Sequence, residues 1–97
     1  MSDAAAAQNE HYKFTLFVAG ATVRSLRAVA NLRGFCDQEL AGLCELEIID
    51  LYTHPERAKT DQVVAAPTLV RHYPRPKRYA IGDLSDTHAL RAAIRGG

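Results

Sequence analysis

The feature that most restricts this chain is its first apolar run. From Tyr12 to Ala19 nearly every side chain is aromatic, aliphatic or β-branched, and Lys13 is the only charge. Strands that read as continuous apolar runs are buried on both faces, which places this one at the centre of a sheet. Gly20 ends the run. Thr22 is then placed to cap a helix, its hydroxyl accepting an early helical N–H. Helical spacing runs from Val23 to about Leu40, with Leu26, Val29, Ala30, Arg33, Cys36 and Leu40 on one line and Leu32 and Phe35 widening it. Gly42 sits just past the end, where a left-handed residue is expected. A second strand, Leu43 to Leu51, follows. A strand, a helix and a strand in this order predict a right-handed parallel crossover.

The second strand differs in chemistry from the first. Glu45 and Glu47 fall on one of its faces, which suits an edge strand guarded by charge. His54-Pro55 opens a short helix to about Val64, with Pro55 in its first turn. Ala66-Pro67-Thr68 leads into an apolar strand, Thr68 to Tyr73. Pro74-Arg75-Pro76 forms a stiff turn, and Lys77 to Ile81 is a fourth strand closed by Gly82-Asp83. Ser85 is placed to cap a last helix, with Leu90, Ala93 and Ile94 on its apolar side. The order βαβαββα with a mixed four-stranded sheet defines a thioredoxin-like α/β fold. A cis-proline opening the third strand is the mark of that fold, and Pro67 stands there.

At 97 residues the chain is expected to form one domain over 12–97, behind a disordered tail over 1–11. Twelve basic and eleven acidic side chains leave a net charge of +1, which argues against a general nucleic-acid or anionic-membrane binder. No apolar stretch reaches the length of a membrane span, no secretory leader is expected, and Cys36 and Cys44 are too few for a disulfide framework. A reduced cytoplasmic setting fits.

Redox thioredoxin-like domains carry a Cys-x-x-Cys pair at the first helix N-terminus, where the dipole favours a thiolate. Here that place reads Gly20-Ala21-Thr22-Val23-Arg24-Ser25, without a thiol. Cys36 and Cys44 lie far from it and read as small buried side chains. His11, His54, His72 and His88 fall in separate segments without ligand spacing, so neither a metal nor a cofactor is expected. A Ser25, His54 and Asp50 triad lacks a nucleophile elbow. The chain is therefore read as a binder and not an enzyme.

Arg24, Arg27 and Asn31 share one helix face, and two arginines near a helix N-terminus sit against the dipole, as residues meeting an acidic partner do. Glu45 and Glu47 mark an edge that offers unpaired backbone groups to a docking strand. The basic, aromatic stretch Tyr73 to Tyr79 is read as a hairpin turn with exposed charges.

Leu16-Phe17-Val18-Ala19-Gly20, Val29-Ala30-Asn31-Leu32, Ile48-Ile49-Asp50-Leu51, Ala66-Pro67-Thr68-Leu69 and Ile81-Gly82-Asp83-Leu84-Ser85 resemble the KaiB family in order and spacing. The resemblance spans Tyr12 to about Arg95. It implies a thioredoxin-like domain without redox chemistry, which binds a KaiC-type ATPase ring or a signalling histidine kinase in a circadian clock. It also implies a metamorphic chain with a second, tetrameric ground fold, βαββααβ, differing after about Leu51. A homo-oligomer, dimer or tetramer, is thus one expected state. On this resemblance Arg27 and Arg71 match basic positions, on the first helix and the third strand. Gly20, Pro67, Gly82 and Asp83 fall in its structural motifs. Glu47 stands where clock members usually carry Lys, which implies a partner of altered charge. Switching members carry a Gly and an acidic residue near Ala93 and Arg95. Gly to Ala adds about 1 kcal/mol of helix propensity, and Arg at a helix C-terminus about 0.3–1 kcal/mol. Residues 89–95 are therefore expected to stay helical, holding the thioredoxin-like fold. Two alternatives stay open at this point: a thiol- or glutathione-binding relative using Thr22 or Ser25 beside Pro67, and a structural or stress-related oligomer without an ATPase partner.

Overall fold

The structure is a computed structural model and describes residues 11–96. The expected tail thus lies outside the described residues, except for His11. The elements are β1 (Tyr12–Val18), α1 (Val23–Glu39), β2 (Cys44–Asp50), α2 (Pro55–Thr60), β3 (Thr68–Tyr73), β4 (Arg78–Ile81) and α3 (Thr87–Arg95). The sheet order is β2-β1-β3-β4, with β1 and β2 parallel and the other pairs antiparallel. This is the expected βαβαββα thioredoxin-like arrangement, and α3 covers the stretch expected to be helical.

The continuous apolar character of β1 is explained by its position. Phe14, Leu16 and Val18 join Leu69 under Ala28, Leu32 and Phe35 of α1 and Leu90 and Ile94 of α3. On the other face Phe17 packs with Ile49, Val70, Ala58 and Val63, beneath α2. Two cores share one central strand, so its inward positions are apolar except Thr15, which is buried and polar.

Thr22 caps α1 as expected, its hydroxyl accepting the Ser25 N–H at 3.2 Å. The buried stripe differs from the expected one. It runs Ser25, Ala28, Leu32, Phe35, Cys36, whereas Leu26 is 57% exposed and Ala30 and Arg33 face solvent. The phase is set by Ser25, which is buried and whose Oγ accepts the Ala19 N–H at 3.1 Å. A polar side chain thus fixes which face of α1 turns inward. At the other end Ala41 and Gly42 both take positive φ, and the Gly42 N–H reaches the Cys36 carbonyl at 3.0 Å.

Several boundaries depart from expectation: β1 stops at Val18, one residue before Ala19, and β2 is a residue shorter at each end. α2 stops at Thr60, short of Val64. Gln62 adopts φ +60°, the Gln62 N–H reaches the Lys59 carbonyl, and the Val63 N–H reaches back to Ala58 at 2.8 Å. This six-to-one closure is a Schellman end, which turns Val63 into the core and leaves Val64 outside. The cap of α3 is Asp86, whose Oδ1 accepts the Ala89 N–H at 3.0 Å. Ser85 does not cap it; its N–H donates to Asp83 Oδ1 at 3.0 Å and its side chain also bonds to Asp83. Lys77 lies outside β4. The Ala66–Pro67 bond is cis, as are Tyr73–Pro74 and Arg75–Pro76.

One charged side chain joins the late elements. Arg71 of β3 is only 3% exposed, and its guanidinium donates to the carbonyls of Ile94 at 2.6 Å, Gly96 at 3.2 Å and Pro76 at 2.7 Å. It therefore neutralises the negative end of α3 and holds the proline turn against the sheet. Outside, Arg91 forms a two-point contact with Glu39 of α1, and Arg95 reaches the Glu39 carbonyl. Arg71→Ala leaves buried carbonyls unpaired, so a loss of about 3 kcal/mol is expected. Urea unfolding followed by circular dichroism measures it, and an unchanged midpoint would contradict the role given to Arg71.

Candidate functional site

The turn between β1 and α1 is where thioredoxin-like domains place their chemistry. Here its polar groups are committed to structure. The Thr22 hydroxyl caps α1 and the Ser25 hydroxyl is buried against Ala19. Asp50 Oδ1 accepts the Tyr52 N–H at 2.8 Å, and His54 faces Glu56 at 3.5 Å, so Ser25, His54 and Asp50 each serve a different local contact. Among the described residues no three His, Cys, Asp or Glu side chains come together as a metal site.

The structural residues singled out from the sequence do converge. Gly20 turns the chain out of β1 with φ +64°. The Gly82 N–H donates to the Pro67 carbonyl at 2.9 Å, joining the loop before β3 to the loop after β4. Gly82 has φ +110°, a conformation that side chains strain to adopt. The Arg24 guanidinium lies 3.7 Å from where a Gly82 Cβ would stand. Asn31 donates its amide to the Asp83 carbonyl at 2.8 Å. The Asp83 carboxyl is held below the usual range by hydrogen bonds from Ser85, with Arg27 and Arg24 adding to the effect. The start of α1 and the Gly82-Asp83 loop thus form one unit, flanking a cleft of about 320 Å³ that Arg24, Tyr79 and Ala93 help to line.

Arg24 and Arg27 are exposed at this unit, as the helix spacing indicated. Asn31 is half-buried and spends its amide on Asp83. Sequence reasoning missed the apolar part of the surface. Val23 is 63% exposed beside Leu26, so α1 presents alternating apolar and basic side chains to solvent.

The acidic strand β2 is an outer edge of the sheet, as its two carboxylates suggested. Glu45 is exposed. Glu47 is not a free charge. Arg57 of α2 grips it at 3.0 and 2.5 Å and holds its carboxyl below the usual range. Behind it the Thr15 hydroxyl lies 3.4 Å from Glu47 and 2.9 Å from His72 Nε2. Asp61 continues the chain of polar groups, 3.9 Å from His72, 3.2 Å from Lys77, and with its carbonyl accepting the Tyr79 hydroxyl at 2.8 Å. These contacts tie down part of the basic stretch from Tyr73 to Tyr79. Arg71 lies apart, buried on the opposite face of the sheet and turned to α3. The parallel register set Glu47 beside Thr15, but the Arg57 contact depends on how α2 folds back, which no local pattern carries.

Solved structures of this shape are thioredoxin-like. The N-terminal domain of SasA from Synechococcus elongatus superposes with a TM-score of 0.72 at 21% identity, over 91% of this chain and 87% of that one. Mitochondrial thioredoxin 3 from Saccharomyces cerevisiae gives 0.70 at 18% identity, over 97% and 87%. At these identities the likeness establishes the fold.

The sequence comparisons go further. The KaiB domain model matches residues 15–95. The circadian clock oscillator protein KaiB of a Nostoc species is 43% identical over 75 residues, covering 77% of this chain and 69% of that protein. That of Gloeothece citriformis is also 43% identical over 75 residues, covering 77% and 71%. The chain belongs to the KaiB family, whose members are non-catalytic.

Two measurements check the site as described. Gly82→Ala is expected to cost about 1–2 kcal/mol, because the added Cβ must occupy a strained backbone region. An unchanged urea midpoint would contradict the close Gly82–Pro67 joint. The carboxyls of Glu39, Glu47 and Asp83 are all held low, by Arg91, Arg57 and Ser85 respectively. The unfolded chain therefore takes up protons at a higher pH than the folded one. Stability from these groups is present above about pH 4.5 and falls as the pH drops through the folded values. Urea midpoints between pH 6 and pH 3, at about half-unit steps, measure the slope. Glu39→Gln combined with Glu47→Gln is expected to flatten it.

Proposed function

We propose that this protein is a non-enzymatic adaptor that binds a KaiC-type ATPase or a signalling histidine kinase and alters its activity. The setting is a circadian-type or stress-related control system in the cytoplasm. The observation that carries the reading is that a chain of the KaiB family presents two candidate docking surfaces, the β2 edge of the sheet and the exposed apolar and basic start of α1. An edge strand supplies backbone hydrogen bonds to a partner, and the side chains around it supply selectivity. Val23, Leu26, Arg24 and Arg27 provide a mixed surface of the kind from which interface anchors are drawn.

Glu47 shapes the choice of partner. Its charge is offset by Arg57, so the edge carries a neutralised ion pair beside an exposed Glu45. A partner strand meeting this edge encounters a weaker negative field than two free carboxylates would give. No helix among the described residues is long and apolar enough to cross a membrane, which suits a partner met in solution.

Backbone amide spectra of the labelled protein, recorded with and without a KaiC-like ring, test the reading. Shifts or broadening are expected to concentrate on Glu45–Asp50 and Val23–Arg27. Arg27→Ala is expected to weaken binding about tenfold, the equivalent of roughly 1.4 kcal/mol. A spectrum left unchanged by rings and by sensor kinases of this class would overturn the proposal.

A further inference from the structure

The sheet has a second edge, β4, on the side away from β2. Among the described residues β4 pairs with β3 alone, with Thr68 opposite Ile81, Leu69 opposite Ala80, Val70 opposite Tyr79 and Arg71 opposite Arg78. The Gly82 N–H donates to the Pro67 carbonyl, one step further along the same register. Hydrogen-bonded pairs alternate along an antiparallel ladder, so Ala80 and Arg78 turn their backbone groups to β3. Tyr79 and Ile81 turn theirs outward, to the open edge. Side chains alternate as well. Ala80 packs against the main core, which sends Tyr79 and Ile81 to the α2 face of the sheet. There Ile81 is 71% exposed and Tyr79 41%, and both line a hollow of about 230 Å³ with Val64, itself 95% exposed. Charge guards an edge against pairing, as Glu45 and Glu47 do on β2. On β4 no charge stands between Arg78 and Asp83.

We propose that β4 is a self-pairing edge, on which a second copy of this chain docks its own β4, antiparallel and about a twofold axis. The strand itself selects the register. With Tyr79 of each copy opposite Ile81 of the other, every outward-facing residue of both strands enters a hydrogen-bonded pair. Ala80 then meets Ala80 on the axis in a non-hydrogen-bonded pair, where backbones approach to about 4.5 Å and a small side chain fits. On the α2 face the Tyr79 and Ile81 side chains of the two copies join into one apolar stripe. The Tyr79 ring is already held, since its hydroxyl donates to the Asp61 carbonyl at 2.8 Å, so docking costs it little freedom. The strand ends match in sign. Lys77 and Arg78 precede the apolar stretch and Asp83 and Asp86 follow it, so antiparallel pairing sets the basic start of one strand near the acidic end of the other.

The product is a dimer of the thioredoxin-like fold itself, distinct from a tetramer of a second fold. Its two sheets join into one, with a β2 edge at each outer end. It does not rest on the partner reading above, because neither β2 nor the start of α1 takes part. The interface is small. Stable complexes bury about 1,200–2,000 Å², and two short strands bury less, so the Kd is expected on the order of 100 µM.

Sedimentation velocity of the full-length protein from about 10 µM to about 1 mM tests this, with a shift from monomer to dimer expected across that range. Amide hydrogen exchange at the two ends of the range locates the contact. The Tyr79 and Ile81 amides are expected to slow severalfold at high concentration, while those of Ala80 and Glu45–Asp50 keep their rates. Ile81→Lys places a charge on an exposed position opposite Tyr79 of the other copy, and is expected to weaken association roughly tenfold with the circular dichroism spectrum unchanged. Ile81→Val is expected to keep the dimer. The proposal is overturned if the wild-type protein stays monomeric to about 1 mM, if Ile81→Lys associates as the wild type does, or if the amides that slow with concentration are those of β2.

Discussion

The Arg71 guanidinium is the contact on which the second half of this molecule depends. Removing a charged group from water is costly unless its donors are satisfied. Here three backbone carbonyls from two separate segments take donors from both terminal nitrogens, while Nε has no partner among the described residues. Those carbonyls belong to the end of α3, where Ile94 is also buried in the main core, and to the proline turn. A single side chain on β3 therefore sets where α3 ends and how the β3–β4 hairpin closes. The helix is secured again from outside by Arg91 and Arg95 on Glu39 of α1. Residues 89–95 are rich in strong helix formers, but intrinsic propensity amounts to tenths of a kcal/mol per residue. The tertiary clamp makes the helical state specific to this arrangement of the sheet.

The strand order was legible because β1 and β2 have opposite chemistry. An apolar run with one charge has to be central, and a strand with two carboxylates on one face has to find an edge. Glycine and proline marked the joints for similar reasons: Gly82 takes a backbone conformation that few residues tolerate, and Pro67 opens β3. Departures came where a polar side chain outranked the apolar pattern. Ser25 reads as a neutral position, yet its bond to the Ala19 N–H sets the phase of the whole of α1. Asp86 caps α3 in place of Ser85, whose N–H and side chain both turn back to Asp83. Gln62 ended α2 early through a left-handed turn for which its residue type gives no signal.

The site was legible to a different degree. Charges near α1 and β2 could be named from spacing, but their partners could not. Arg71 and Glu47 illustrate the gap from both sides. Arg71 is charged and looks like a surface residue, yet it is buried against α3. Glu47 is charged and on an exposed edge, yet Arg57 already holds it. Both depend on contacts between segments far apart in sequence, and the periodicity of one element says nothing about what folds over it.

The misread phase of α1 also explains why its outer face is unusual. A reading by hydrophobicity alone puts Leu26 inside, because leucine on a helix is normally buried. The fold rotates it out and brings Ser25 in, so the apolar surface of Val23 and Leu26 is not used by the core. Scattered exposed apolar residues are common and carry little meaning singly. These two, however, alternate with Arg24 and Arg27 at the helix N-terminus, where positive charge is mildly unfavourable to the helix itself. The basic half favours the Asp83 carboxylate, but the apolar half is left out of the core, which is consistent with a face kept for contact with another protein.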